Sequence, residues 1–241
     1  MRAPAGGRPY TASMNQSLIL ILAFSTLFPA THILMSHGRL REGLVRILGG
    51  EWRFRGVHTL VSFVTFFPLV FVWWENRGLG PELWNLPFRI ERAIALPLML
   101  LAVVLFVMML ATPSPASMRP GATVARGILS VTRHPMNMAF ACFGLAHVVT
   151  NGFLGDVLFF GQFAVLGLLG AFHQDARFAR DRGEQFREFM ASTSVLPFVA
   201  ILQGRNRVAT DRRTLMMLLI AIAVFVALVA AHGRLFGVAV F

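Results

Sequence analysis

The side chains in this sequence best equipped for chemistry are histidines in or beside long apolar runs: His32, His58, His134 and His147, with Arg133 directly before His134. An ionisable group in hydrocarbon is costly, so each one inside a membrane run is a functional hypothesis by default. The stretch from Val131 to Gly152 opens with Arg133-His134-Pro135 and carries His147 deep inside an apolar run. Pro135 needs no N–H donor at a helix start and marks the beginning of the helix that bears His147. At 13 residues' separation, His134 and His147 fall roughly 220° apart around that helix and about 20 Å apart along it. They cannot serve one small site together.

All 22 basic residues are arginine, which removes lysine Schiff-base chemistry. The single cysteine, Cys142, lies in an apolar run, so no intrachain disulfide or Cys-based metal cluster forms. Two intramembrane histidines, His32 and His147, on different helices without an acidic residue in any predicted span do not make a zinc site. A haem fits better, because it needs one or two imidazoles and tolerates an otherwise apolar pocket. Arg133 is then a candidate partner for the propionates, with His134 beside it. A depth mismatch of about 10 Å between His32 and His147, from the helix rise, counts against the pair.

The elements that must position these residues are membrane helices. The 241 residues are 56% hydrophobic and only 14% charged, far from the averages of soluble domains. The net charge of +11 sits at the ends of apolar segments, where the positive-inside rule puts arginine, so nucleic-acid binding is excluded. The expected fold is all-α, a polytopic membrane bundle of about six spans near residues 17–36, 57–74, 93–112, 136–150 and 157–172, with the last from Thr214 to Ala231. Residues 1–13 read as a disordered extension with a misassigned start, 14–207 as the main membrane domain, and 208–241 as a C-terminal helix and tail.

Pro29 is expected to kink span one before His32. His58 and Ser62 share one face of span two, and His58 reads as an interfacial histidine first and a site residue second. Part of the loop from His37 to Gly56 reads as an interfacial helix. The segment Gln174–Met190 reads as an amphipathic helix on the membrane surface, with Phe178, Phe186 and Phe189 on one side. Loops after spans one, three and five hold 16 arginines against 6 elsewhere, which puts those loops in the cytoplasm of a bacterial inner membrane and both termini in the periplasm.

Pro29 to His32, Thr132-Arg133-His134-Pro135, Leu145-Ala146-His147 followed by Asn151-Gly152, and Thr193-Ser194 with Pro197-Phe198 and Gly204-Arg205 together resemble the NnrU family. The resemblance covers about Met14 to Arg207. It implies either a protein associated with nitrite and nitric oxide reduction in denitrifying bacteria or a relative of the plant zeta-carotene cis-trans isomerase, which carries haem b. It further implies that His32 and His147 match the haem-iron ligands, with a hydrophobic polyene as substrate in the isomerase branch or a respiratory membrane complex as partner.

Two other readings stay open. Arg133-His134-Pro135 followed by a span and a charged segment is similar to the membrane methyltransferases of isoprenylcysteine and phospholipids. There Arg133 and His134 would hold S-adenosylmethionine, although Asn137 and Asp175-Ala176-Arg177 depart from that pattern. The third reading is a non-catalytic assembly factor for a respiratory membrane complex, with Arg133-His134-Pro135 as a helix cap.

Overall fold

The computed structural model describes residues 12–112, 125–208, 210–238 and 240. Most of the N-terminal extension and of the Pro- and Ser-rich linker after the third span lies outside the described residues. Five of the described helices are long and apolar enough to cross a membrane, and the apolar helix that carries His147 is shorter. The chain is a multi-pass helical membrane protein. It divides into two compact units, one formed by the chain up to Pro87 with His147–Gln162, the other by Phe88–Ala146 with Phe163–Phe241.

In the first unit α1 (Ala12–Met35) and α3 (Glu51–Glu75) pack side by side, joined by α2 (Gly38–Ile47). The pair is antiparallel: the Phe28 ring lies 5.0 Å from Phe66 and the His32 ring 4.5 Å from His58. Ile21, Phe28, Thr65 and Leu69 are buried in this unit, while Phe63, Phe67 and Phe71 are exposed at i, i+4 and i+8 on α3, the face a bilayer would cover. Helix α3 begins at Glu51, earlier than the expected Val57, because the Glu51 carboxylate accepts from Arg41 and from Arg55 Nε. These ion pairs hold a polar first turn that a hydropathy window does not count as helix.

The loop after α3 is tied to the segment that follows His147. Leu83 N–H donates to the Gly152 carbonyl at 2.8 Å, Leu154 N–H to Pro81 at 3.0 Å, and Gly155 N–H to Leu79 at 2.9 Å. Gly152 is obligatory here, since a Cβ at that position would stand 1.8 Å from the Trp84 carbonyl oxygen.

In the second unit α4 (Phe88–Ala111) packs along α10 (Arg212–Phe236). Between them come α5 (Ile128–Val131), α6 (Pro135–Thr150), α7 (Leu154–Arg182), α8 (Glu184–Ser192) and α9 (Val199–Leu202). The division between the units falls inside α6 and inside α7. Leu105, Met108, Ile128, Met138, Ala139, Ala141, Ala171 and Val195 form its main core. Gly167 lets α7 approach α6 closely, because a Cβ there would lie 2.4 Å from the Asn137 carbonyl oxygen.

Two expectations are corrected in this unit. Helix α7 runs to Arg182 rather than ending near residue 172, and it breaks at Gly183, which takes φ +62°, a conformation that suits glycine. The segment Gln174–Met190 is therefore not one helix lying on the membrane surface. Its phenylalanines bury against the protein: Phe178, Phe186, Phe189 and Leu129 make a second core cluster. A face of three aromatics offers as much apolar area to a protein core as to lipid, and here α5 supplies the partner.

Candidate functional site

The second unit holds a buried polar centre built on the start of α6. The chain turns into α6 with Thr132 extended, and the His134 N–H donates to Thr132 Oγ1 at 3.2 Å. Thr132 Oγ1 in turn donates to the Val195 carbonyl. His134 stands at the N-cap, its carbonyl accepting from Met138 N–H at 3.0 Å, and Pro135 occupies the first helical position where no N–H is required. Arg133 and His134 then both reach Asp175 of α7. Arg133 Nη2 donates to Asp175 Oδ2 at 2.6 Å, Arg133 Nε to Oδ1 at 2.9 Å, and His134 Nε2 to Oδ1 at 2.7 Å. Arg133 Nη1 completes the set by donating to the Thr193 carbonyl at 3.0 Å.

Thr132, Arg133, His134, Asp175, Thr193 and Ser194 are all buried. Each nitrogen of the Arg133 guanidinium has an acceptor within the chain, and a fork of this kind is the geometry in which arginine binds a carboxylate best. A propionate or the carboxylate of S-adenosylmethionine would have to compete with Asp175 for Arg133 and His134. Around them the chain is pinned by further bonds: Phe198, at φ 67°, donates its N–H to the Val131 carbonyl at 2.9 Å, and Arg205 Nη1 donates to the Thr193 carbonyl at 2.8 Å.

The first unit holds His32, His58 and His147. His32 of α1 and His58 of α3 are neighbours, and their hydrogen bonds fix both tautomers. Ser62 Oγ donates to the His58 carbonyl at 2.8 Å, so toward His32 Nδ1, 3.2 Å away, it can only accept. His32 therefore carries its proton on Nδ1 and presents the Nε2 lone pair. His58 Nε2 donates to the His32 carbonyl at 3.2 Å and lies 3.4 Å from Ser36 Oγ, so the lone pair of His58 is on Nδ1. A histidine with one nitrogen held by a hydrogen bond and the other a bare lone pair is prepared to ligate a metal, and His32 meets that description.

His147 lies elsewhere in the unit. Its ring stacks on Phe160 at 4.6 Å and 21°. Phe160 packs edge-on against Trp73 at 5.1 Å, and Trp73 stacks flat on Phe159 at 3.9 Å. Asp156, buried in the first turn of α7, accepts from Trp73 Nε1 at 2.7 Å and from Gly78 N–H at 3.2 Å, a placement the helix N-terminus also favours.

The structure thus brings His32 to His58, Arg133 to His134, and His147 to an aromatic cluster with Asp156. It does not bring His32 to His147. His32 meets Ser62 and His58 of α3, while His147 stacks on Phe160, which packs on Trp73. Two imidazoles on one iron need their nitrogens on the order of 4 Å apart, twice a metal–imidazole bond. The donor chemistry of His32 fits an iron ligand, and its ring touches His58 rather than His147.

Sequence reasoning missed Asp156 and the partner role of Asp175. Both fall inside α7, outside the spans read from hydropathy. The available signal for Asp156 was its place in the first turn after Asn151-Gly152. For Asp175 it was a carboxylate just past the apolar run, followed by Phe178 at helical spacing.

A helical membrane bundle with a buried Arg-His-Asp centre and an imidazole pair between its first two long helices defines a class that sequence comparison narrows further. A sequence model of the NnrU family, described as NnrU protein, matches residues 19–240, and the chain belongs to that family. It is also similar to the 15-cis-zeta-carotene isomerase, chloroplastic, of Arabidopsis thaliana, 36% identical over 90 residues that make up 35% of this chain and 23% of the relative. The protein of the same name from Zea mays is 33% identical over 87 residues, again 35% and 23%. The chain thus matches about a quarter of the length of these curated relatives. No solved structure matches it.

Proposed function

We propose that this protein is a membrane isomerase that interconverts cis and trans double bonds of a hydrophobic polyene taken from the bilayer. The similarity to two plant zeta-carotene isomerases supports this reading. The observation that carries it is the His32 imidazole of α1, held through Nδ1 by Ser62 of α3 with Nε2 left to serve as a ligand. Isomerisation neither adds nor removes atoms, so the chain needs an apolar site and one electronically active group rather than an acid and base pair. Haem b is the proposed group. When bound it would supply an iron centre able to weaken one double bond for rotation.

His32 would hold that group through Nε2, and His147 is the second ligand the family resemblance implies. In the structure His147 is packed on Phe160 instead, so binding by both would require His147 to leave that stack. His58, whose ring centre is 4.5 Å from that of His32, orients His32 through its backbone carbonyl. Arg133 and His134 serve the fold through Asp175 in this reading. The surplus of arginines places the loops after the first, third and fifth spans in the cytoplasm, so the proposed setting is a bacterial inner membrane with both termini periplasmic.

The test is an absorption spectrum of the detergent-purified protein, expressed with haem supplementation, oxidised and then reduced with dithionite. Wild type, His32→Ala, His147→Ala and His58→Ala are compared. A Soret band that shifts on reduction and is lost in His32→Ala is the expected outcome. A colourless wild-type protein, or a spectrum that none of the three changes alters, overturns the cofactor assignment.

A further inference from the structure

The end of the first unit where α1 hands over to α3 carries a surface that the chain itself does not cover. Both helices are long and apolar enough to cross a membrane, so α2, which joins Met35 of one to Glu51 of the other, lies where they leave the hydrocarbon. No residue of α2 is buried. At the helical turn angle Leu40, Leu44 and Ile47 fall within about 60° of one another, and Leu40 and Ile47 are exposed. Arg39 and Arg46 lie about 20° apart and roughly 100° round from that stripe, and both are exposed. A third side faces α3, where Arg41 pairs with Glu51 and sits 5.2 Å from the centre of the Phe54 ring.

The first turn of α3 continues this surface. Trp52 is 80% exposed, and it falls with Leu60, Phe63, Phe67 and Phe71 within an arc of about 100°. All four of these are exposed, so Trp52 tops the stripe that a bilayer would cover. Arg53 beside it is exposed, and its guanidinium rests at the turn between the two helices: a Cβ at Gly49 would be 3.0 Å from Arg53 Nη1, and the Gly49 N–H donates to the Arg46 carbonyl at 3.2 Å. The segment from His37 to Gly56 holds five arginines and two glutamates, three positive charges in surplus. Glu51 is occupied by Arg41 and Arg55, and among the described residues Arg39, Arg46 and Arg53 make no ion pair. Orientation across the membrane asks for positive charge on this side, but not for an apolar stripe and a tryptophan set beside it.

We propose that α2 and the first turn of α3 form a binding surface for anionic phospholipid, with Leu40, Ile47 and Trp52 at the acyl boundary and Arg39, Arg46 and Arg53 on the headgroup phosphates. An amphipathic helix of this kind gains from apolar area and from charge together, and the guanidinium fork matches a phosphate. A zwitterionic headgroup brings its own cation to the three arginines, whereas an anionic one does not, so the surface selects lipid of net negative charge. It uses neither haem nor a histidine and stands independently of the isomerase reading.

The full chain is reconstituted in phosphatidylcholine vesicles in which a minor fraction of the lipid is phosphatidylglycerol or, in a parallel series, phosphatidylcholine brominated near the head of the acyl chain. Bromine quenches tryptophan on contact, and the Trp52 share is the difference between wild type and Trp52→Phe. The two leaflets have the same composition, so the orientation of the chain in the vesicle does not enter. One arginine near an anionic surface is worth about fivefold in affinity, and the Trp52 share is expected to report phosphatidylglycerol bound about fivefold or more tightly than phosphatidylcholine. The preference should fall toward unity in the Arg46→Gln, Arg53→Gln double variant and persist when both are changed to lysine. It should also weaken in about 1 M salt, where the Debye length is about 3 Å. Equal quenching by the two lipids overturns the proposal. So does a preference that the glutamine variant keeps, which would assign it to charges elsewhere on the chain.

Discussion

Replacing Asp175 tests whether the start of α6 is a structural centre or a ligand site. The carboxylate accepts from Arg133 Nε and Nη2 and from His134 Nε2. In Asp175→Ala, Arg133 keeps only the Thr193 carbonyl, and a guanidinium whose side chain is 10% exposed is left with an unmatched charge. Breaking a buried pair from one side costs about 3–5 kcal/mol. His134 adds a lost bond, worth about 1 kcal/mol, which overlaps with the first term because the two share one acceptor.

The expected loss for Asp175→Ala is therefore about 3–5 kcal/mol. Arg133→Met combined with Asp175→Leu should cost less than Asp175→Ala alone, since no charge is left buried. Reversible unfolding in mixed micelles of wild type, Asp175→Ala, Arg133→Met, Asp175→Leu and the double mutant measures both quantities. A loss below about 1 kcal/mol for Asp175→Ala, or single and double mutants that add within about 0.5 kcal/mol, would refute the argument. Arg133 would then be available to a ligand.

Three further outcomes are expected. Gly152→Ala should lower stability by more than the roughly 1–3 kcal/mol usual for overpacking, because the new Cβ meets the Trp84 backbone rather than a movable side chain; a melting curve within 2 °C of wild type would contradict this. Trp73→Phe keeps the stack on Phe159 but removes the indole N–H from Asp156, so unfolding should register a loss of about 1–3 kcal/mol, which Asp156→Asn should partly relieve in the double mutant. At the start of α10 the Asp211 carboxyl is held below its usual range by the hydrogen bonds from Thr214. A depressed carboxyl stabilises the helix start above its unfolded pKa and ceases to do so as pH falls through the folded one. Amide exchange at Thr214 should accordingly speed up in acid relative to its neighbours, and Asp211→Asn should remove that pH dependence.

The number and order of the membrane helices were legible because hydrocarbon demands about 20 apolar residues per span, and each such run became a helix. The ends were less legible. Hydropathy reads the segment His173–Arg182 as polar surface, yet α7 continues through it, since Asp175 is neutralised by Arg133 and Phe178 finds Leu129. The special character of Arg133-His134-Pro135 could be read from Pro135 and from two cationic groups at the mouth of an apolar run. Its partner could not, because 42 residues separate Arg133 from Asp175 and no local pattern joins them.

His58 and Ser62 could be placed on one face by their spacing. That His32 meets them depends on the register of α1 against α3, seen in the Phe28–Phe66 and His32–His58 contacts, which no spacing along either helix reveals. Ser25 Oγ and the Gln162 amide are buried without a hydrogen-bond partner among the described residues, which is invisible in sequence, where a serine or glutamine in a span reads the same whether or not it is satisfied.

The pairing of Arg133 with Asp175 also constrains how this chain enters the bilayer. Asp175 lies 21 residues after Leu154 in α7, about 32 Å along the helix, at the far edge of a hydrocarbon core of about 30 Å. A lone aspartate in an inserting segment weighs against partitioning by up to roughly 3 kcal/mol at the centre and less at the rim. Arg133 precedes α6, a helix of 16 residues, short for independent insertion. The two penalties cancel when the arginine and the carboxylate arrive together, so α6 and α7 are suited to leave the insertion machinery as one hairpin. A glycosylation-site reporter placed between them would show both helices inserted or neither.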